Sequence, residues 1–233
     1  MISLVDADIV GYRCAASCEK QGVVVEPVEV AILRVDELME RILHETGATS
    51  YNAYLTGSDN YRLSYNPSYK ANRKDTPRPA WLQAVREHLV TKWKASVEDG
   101  QEADDAMGIY QATNPNTSVI CSIDKDLLCI PGKNYNFITG VLRDQSPTDA
   151  TRHFYYQLIM GDRADNVFGF DGVARATVPK KLEGVIAELD SYIDELDMFD
   201  FVRSLYDDDE TLLMNGISLW IRQKENEVWG FPK

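Results

Sequence analysis

Ile2-Ser3-Leu4-Val5-Asp6-Ala7-Asp8-Ile9-Val10-Gly11-Tyr12-Arg13 begins as a short apolar run, ends that run in a carboxylate, and then changes period. Ile2 to Val5 reads as a buried strand, and Ile9, Tyr12, Arg13 and Ala16 recur at helical spacing. Asp6 therefore stands at the C-terminal end of a strand, where a helix begins. The same alternation continues downstream. Pro27 precedes an amphipathic helix with Ala31, Val35, Leu38 and Ile42 on one face and Gly47 as its stop; Tyr51 to Leu55 is the next strand. A helix carrying Trp81, Val85, Leu89 and Val90, a helix over 102–112, strands over 118–122 and 135–138, and a helix over 149–160 follow. Strands alternating with helices predict an α/β fold with a central, mostly parallel sheet whose site lies at the strands' carboxyl ends. No internal repeat and no Walker loop interrupts the pattern.

The organisation expected is an α/β core over 1–160 and a helical part over 161–233, where glycines and Pro179 break the pattern before acidic helices run to the end. Ser64 to Pro79 has no sustained period, holds Pro67, Pro77 and Pro79, and reads as a long mobile connection. At 233 residues with 44% hydrophobic content the chain can fill a core, so disorder is not the default. No apolar run approaches a membrane span and the start lacks signal-peptide character, which points to the cytoplasm. Cys14, Cys18, Cys121 and Cys129 are spaced for neither a disulfide framework nor a zinc site, and read as reduced, buried thiols. His44, His88 and His153 are scattered and read as packing or surface residues, while Asp207 to Glu210 reads as a solvated helix start.

The net charge of −13 argues against a nucleic-acid partner until its distribution is considered. Residues 62–94 carry eight Lys and Arg against two acids, whereas 183–210 carry eleven acids against Arg203 alone. One surface is basic and another acidic.

Eight carboxylates carry the chemical argument: Asp6; Glu102, Asp104 and Asp105; Asp124 and Asp126; Asp162 and Asp165. Each group falls at an expected strand end or helix start. Taken singly, each is more simply a cap or a solvated turn. Taken together they favour a site for hard divalent cations, Mg²⁺ or Mn²⁺, because gathered carboxylates repel one another without a cation between them. Asp124 and Asp126, two apart on an extended exit, point to one side, and Asp162 and Asp165, three apart, share a helical face. Glu102 and Asp104 converge only if Glu102 lies at or before the helix start, which leaves Asp105 as a cap or a supporting group. Lys70, Arg73 and Lys74, interleaved with Tyr61, Tyr65, Tyr69 and Trp81, suit single-strand contact through charge and stacking. The glycines of 161–173, with Gly169 and Gly172, suit a helix-turn-helix approaching a duplex phosphate.

These residues, in this order, resemble the structure-specific 5′-nuclease, or flap endonuclease, family, and within it the short bacteriophage 5′-3′ exonucleases. The motifs are Leu4-Val5-Asp6, Tyr69-Lys70-Ala71-Asn72-Arg73, Glu102-Ala103-Asp104-Asp105, Asp124-Lys125-Asp126 and Gly161-Asp162-Arg163-Ala164-Asp165-Asn166, and the resemblance spans roughly 1–180. It implies a PIN-like core with a basic helical arch over about 64–79, and two-metal hydrolysis near 5′ ends, flaps and nicks of DNA and on RNA primers in RNA-DNA hybrids, in phage replication within the host cytoplasm. By resemblance, Asp104 and Asp124 hold a first metal with Glu102 and Asp6, and Asp124, Asp126, Asp162 and Asp165 a second. Lys70 and Arg13 approach the scissile phosphate, while Arg62, Tyr69, Arg73, Lys74, Gly169, Gly172 and Arg175 contact nucleic acid, with K⁺ at the helix-turn-helix. Where many members carry an acid after the second strand, this chain reads Thr56-Gly57-Ser58, so that either the first metal is held more weakly or Asp59 supplies the additional ligand. A monomer is expected, and the acidic tail is expected either to repel DNA or to bind a replication protein as partner. The alternative is a branched-DNA binding module of the same fold that cleaves weakly or not at all.

Overall fold

The computed structural model describes residues 1–233. In chain order its elements are β1 (Ile2–Asp6), α1 (Ala7–Ala16), β2 (Glu19–Lys20), β3 (Val23–Val24), α2 (Val28–Thr46), β4 (Ser50–Thr56), α3 (Arg62–Tyr65), α4 (Leu82–Thr91), β5 (Ser96–Glu98) and α5 (Ala103–Thr113). They continue with β6 (Ser118–Cys121), β7 (Gly132–Asn136), β8 (Val141–Gln145), α6 (Pro147–Met160), β9 (Gly161–Asp162), β10 (Val167–Phe168), α7 (Glu183–Ser191), α8 (Glu195–Leu205) and α9 (Asp209–Leu219). The chain divides into two compact units: residues 1–60, 77–127 and 132–144 form the first, and 61–76, 128–131 and 145–233 the second.

The first unit is a sheet in the order β5-β4-β1-β6-β7-β8, and β1 runs parallel to both β4 and β6. Leu4 and Val5 are wholly buried, as a central strand covered on both faces requires. The order reverses about β1, since β4 and β5 lie to one side and β6 and β7 to the other. The crevice of a parallel sheet opens at such a reversal, outside the carboxyl ends of the strands. Asp6 ends β1 there and Ser122 follows β6 there. Val10, Ala31, Val35, Met39, Ile42, Leu55, Val85, Leu89 and Val119 form the core beneath. The helix signals act as their chemistry dictates: Asp6 caps α1 through Ile9 N, and Gly47 ends α2 in the left-handed region at φ 62°.

In the second unit α6 packs on α8 and α9. Phe154 meets Trp220 and Trp229 with ring centroids 5.0 and 5.3 Å apart. Gly216 is required by that packing, because a Cβ there would lie 2.1 Å from the Trp229 ring. Ser146 caps α6 and Asp208 caps α9, so the run 207–210 is a helix start as read.

Several expectations change. The strand expected over 135–138 is β7, ending at Asn136, and a turn through Gly140 returns the chain as β8. The β2–β3 hairpin and three-residue β5 lacked the length or apolar content that marks a strand in sequence. Val90 faces outward, leaving Val85 and Leu89 as the buried face of α4. Residues 64–79 are not a loose connection: they hold the end of α3 and one 3-10 turn over Ala71–Arg73, tied down by bonds described below. Between α6 and α7 the stretch expected to be a tight helix-turn-helix contains the β9–β10 hairpin and a glycine turn, because Gly161 leaves the helix at φ 67° and Gly169 lies against the Ile159 carbonyl, 2.3 Å from where a Cβ would sit. All four cysteines are free and buried, as expected. No helix is long and apolar enough to cross a membrane.

Candidate active site

Asp6 is 3% exposed, and both of its oxygens are used. Oδ1 accepts from Ile9 N at 3.0 Å and Oδ2 from the Ser122 hydroxyl at 2.7 Å. Ser122 Oγ in turn accepts from Asp124 N at 3.0 Å. One serine thus ties the acid at the end of β1 to the acid beyond β6, across the reversal of strand order. Burial pushes the Asp6 carboxyl up to about 7; the bonds from Ser122 and Ile9 offset part of this, and the charges of Asp8 and Asp124 add to it.

Asp124 and Asp126 are arranged differently from the extended segment expected. Asp126 N donates to Asp124 Oδ1 at 3.0 Å and starts a 3-10 turn over Asp126–Cys129. The aspartate side chain folds back on its own backbone, which is the ordinary alternative to extension for this residue. Glu102 lies just before α5, as convergence with Asp104 requires, and accepts from Asn60 Nδ2 at 3.0 Å. Asp105 is fully buried and closes a capping box, its Oδ2 accepting from Glu102 N at 3.0 Å. Arg13 is exposed in the last turn of α1, seven residues beyond Asp6 and so about 10 Å along the helix axis.

Three further residues hold this end of the sheet, and the sequence carried no pattern that announced them. Asp8 Oδ2 accepts from Thr56 N at 2.7 Å, Arg86 pairs with Asp8 and donates from Nη2 to Thr56 O at 2.6 Å, and Thr56 Oγ1 accepts from Ala103 N at 3.0 Å. The end of β4 is thereby fixed to α1, α4 and the start of α5. Asp59 is exposed and its Oδ1 accepts from Asn60 N at 2.9 Å in a local turn.

In the second unit Asp165 is the hub. It accepts from Tyr69 Oη at 2.8 Å and from Arg73 Nη2 at 2.5 Å, and Lys70 Nζ lies 3.6 Å away. Its backbone carbonyl accepts from Lys70 N at 2.9 Å, and Asn72 and Arg73 donate to the carbonyls of Arg163 and Ala164. Asp162 and Asp165 do not share a helical face: Asp162 ends β9, and its Oδ1 accepts from Asp165 N at 2.9 Å across a tight hairpin. Lys70 adopts the left-handed conformation at φ 55°, which turns the chain so that Tyr69, Lys70 and Arg73 all reach one carboxylate.

The expected nucleic-acid contacts divide by exposure. Arg62 is 1% exposed and donates to the carbonyls of Ser218 and Trp220, beside the rings of Tyr61 and Tyr69, so it supports the fold and is withdrawn from solvent. Tyr69 is buried, while Tyr65 and Lys74 are exposed. Arg175 folds back on Asp171 and on the Val173 carbonyl, since a guanidinium beside a carboxylate prefers that partner to water. Gly172, at φ 72° with open space over its Cα, marks the turn of that loop.

The donor set around Asp6 is all oxygen, which fits a hard cation. As the side chains stand, no group of three or more acids, histidines or cysteines is close enough to grip an ion.

No protein-family profile matches the chain. It is 34% identical over 129 residues to the exodeoxyribonuclease of Enterobacteria phage T3, a stretch covering 51% of this chain and 42% of that protein. The chain thus matches less than half the length of that relative. Among solved structures, bacteriophage T5 5′-exonuclease with divalent metal ions (zinc) superposes with a TM-score of 0.67 at 19% identity, covering 94% of this chain and 88% of that one. The bacteriophage T5 flap endonuclease in complex with DNA and metal ions gives 0.63 at 18%, with the same coverage. The catalytic core of Rad2 with DNA substrate gives 0.54 at 17%, covering 99% and 82%. The fold is that of these 5′-nucleases, and the resemblance read from the motifs holds in both sequence and architecture.

Proposed function

We propose that the chain is a metal-dependent nuclease that hydrolyses phosphodiester bonds near the 5′ ends of DNA, on flaps, nicks and duplex ends, and on RNA primers paired to DNA. The observation that carries this reading is the link from Asp6 through Ser122 to Asp124 at the reversal of the sheet. It is supported by the sequence likeness to a phage exodeoxyribonuclease. Asp6 and Asp124, with Glu102 and Asp104 acting through water, are the acids of the first unit proposed to hold the cation. When bound, a divalent cation supplies a Lewis acid for the phosphate and an activated water. Ser122 orients the two aspartates, and the Asp8–Arg86 pair fixes the backbone beside them. In the second unit Asp162 is the acid proposed to face a cation, while Asp165 holds Tyr69, Lys70 and Arg73 in one geometry. Lys70 and Arg73, held beside Asp165, offer positive charge to a phosphate, which neutralises charge developing in the transition state.

A 5′-labelled flap duplex and a blunt duplex, incubated with Mg²⁺, Mn²⁺ or EDTA, test the reading. Metal-dependent product, greater on the flap, is expected; tight binding without product under any metal would favour the branched-DNA binding module. The observation behind that second reading is Gly57, which leaves the end of β4 without an acid of its own.

A further inference from the structure

Gly57 follows β4 directly, and the space over its Cα is already taken. A Cβ built there would lie 2.1 Å from Asp99 Oδ1 and 2.5 Å from the Glu98 carbonyl. Gly57 N donates to that carbonyl at 2.7 Å, and Ser58 N to Asp99 Oδ1 at 3.3 Å. Glycine at 57 is thus explained by close approach: only a residue without a side chain leaves room for the carboxylate arriving from the adjoining strand. The register shows how it arrives. Thr56 of β4 pairs with Glu98 of β5, so Asp99 stands one residue past the end of β5, level with Gly57. Gly100, in the left-handed region at φ 79°, then turns the chain towards Glu102 at the start of α5. The head of β4 has no acid in its own sequence, yet a carboxylate sits there.

We infer that Asp99 is a positioning acid of the cation site, acting on the water shell of a bound divalent ion from the place a side chain at 57 would fill. The inference rests on the nuclease reading above. Asp6 is level with Tyr54 of β4 and Tyr54 with Ser96 of β5, so Asp99 lies two strand spacings across and three residues further along, roughly 14 Å from Asp6; that is too far for one ion to bind both directly and leaves a contact through metal-bound water. Asp99 is exposed, and so is open to such a shell. Asp59, the nearer acid in sequence, is turned onto its own chain.

Mn²⁺ binding to the full chain, followed by calorimetry and by the electron paramagnetic resonance of free Mn²⁺, tests this for the unaltered protein, Asp99→Asn, Asp59→Asn and Asp124→Ala. Asn keeps the shape of Asp99 and its acceptor for Ser58 N while removing the charge. Asp99→Asn is expected to weaken Mn²⁺ binding about tenfold, the usual loss on removing a supporting group of a metal site. Its thermal midpoint in EDTA should stay where it was, and Asp59→Asn should bind Mn²⁺ like the unaltered chain. Equal affinity of Asp99→Asn and the unaltered protein, with binding lost in Asp124→Ala, overturns the role of Asp99 and leaves the nuclease reading standing. An unaltered chain that binds no Mn²⁺ overturns both.

Discussion

The Tyr69 hydroxyl donates to the Asp165 carboxylate at 2.8 Å, one of several bonds to Asp165 that hold the basic segment of the second unit. Arg73 and Lys70 reach the same carboxylate, so an acid expected only as a metal ligand is also the anchor of the segment that would meet a phosphate. Tyr69→Phe should release the segment without disturbing the core. Cleavage by trypsin after Lys74 should rise about tenfold, corresponding to the loss of one charge-assisted bond of roughly 1.5 kcal/mol. An unchanged digestion rate would show that the hydroxyl does not hold it.

Arg62 is expected to behave as a structural residue despite its place in the basic stretch. Arg62→Ala strands the carbonyls of Ser218 and Trp220 and opens space beside Tyr61 and Tyr69, at a cost of about 3 kcal/mol. Chemical denaturation should show a lower midpoint with an unchanged slope. Full stability with weakened DNA binding would return Arg62 to the interface.

Lys74 is the contrasting case, because it is exposed. Lys74→Ala should leave stability unchanged, weaken DNA binding similarly for all sequences, and reduce the slope of log K against log salt by about 1. A salt slope equal to that of the unaltered chain would place Lys74 outside the DNA contact.

Asp36 gives a pH dependence of stability. Burial alone would raise its carboxyl, but donors on Lys92, His88 and Trp93 outweigh burial and hold it below its ordinary value. A carboxylate lowered in the folded state contributes stability that is present above its unfolded pKa, about 3.9, and is lost as pH falls through the folded value. Asp36→Asn should therefore cost about 1–2 kcal/mol at pH 7, and its gap from the unaltered chain should close in acid. Melting curves from pH 7 down to pH 3 check the sign; a gap that widens in acid would contradict it.

The sheet and its helices were legible because local signals and burial agree. Val5 ends an apolar run and Asp6 both ends the strand and caps the helix, while Pro27 and Gly47 bracket α2 as their backbone preferences dictate. Spacing makes Glu102 converge with Asp104 only from a place at or before the helix start, with Asp105 as a cap or a supporting group; Glu102 does lie just before α5 and Asp105 closes its capping box. The remainder depends on contacts between residues far apart in sequence. Nothing near Arg62 reveals that Ser218 and Trp220 will bury it, and nothing near Gly57 reveals that Asp99 will lie over it. Ser122, Asp8 and Arg86 belong to common residue types with no motif: the pairing of β1 with β6 brings Ser122 to Asp6, and the packing of α1 and α4 against the end of β4 brings Asp8 and Arg86 to Thr56. Residues 64–79 read as loose because no period of their own marks the order that Tyr69 and Arg73 take from Asp165.

The most direct measurement compares cleavage and binding of one 5′-flap DNA by the unaltered chain, Asp124→Ala and Ser122→Ala in Mg²⁺. Asp124→Ala should lose cleavage by at least a factor of about 1,000 while still binding the flap. Ser122→Ala, which keeps both acids but removes the hydroxyl between them, should lose about tenfold. Cleavage by Asp124→Ala at the unaltered rate would contradict a cation site built on Asp6, Ser122 and Asp124.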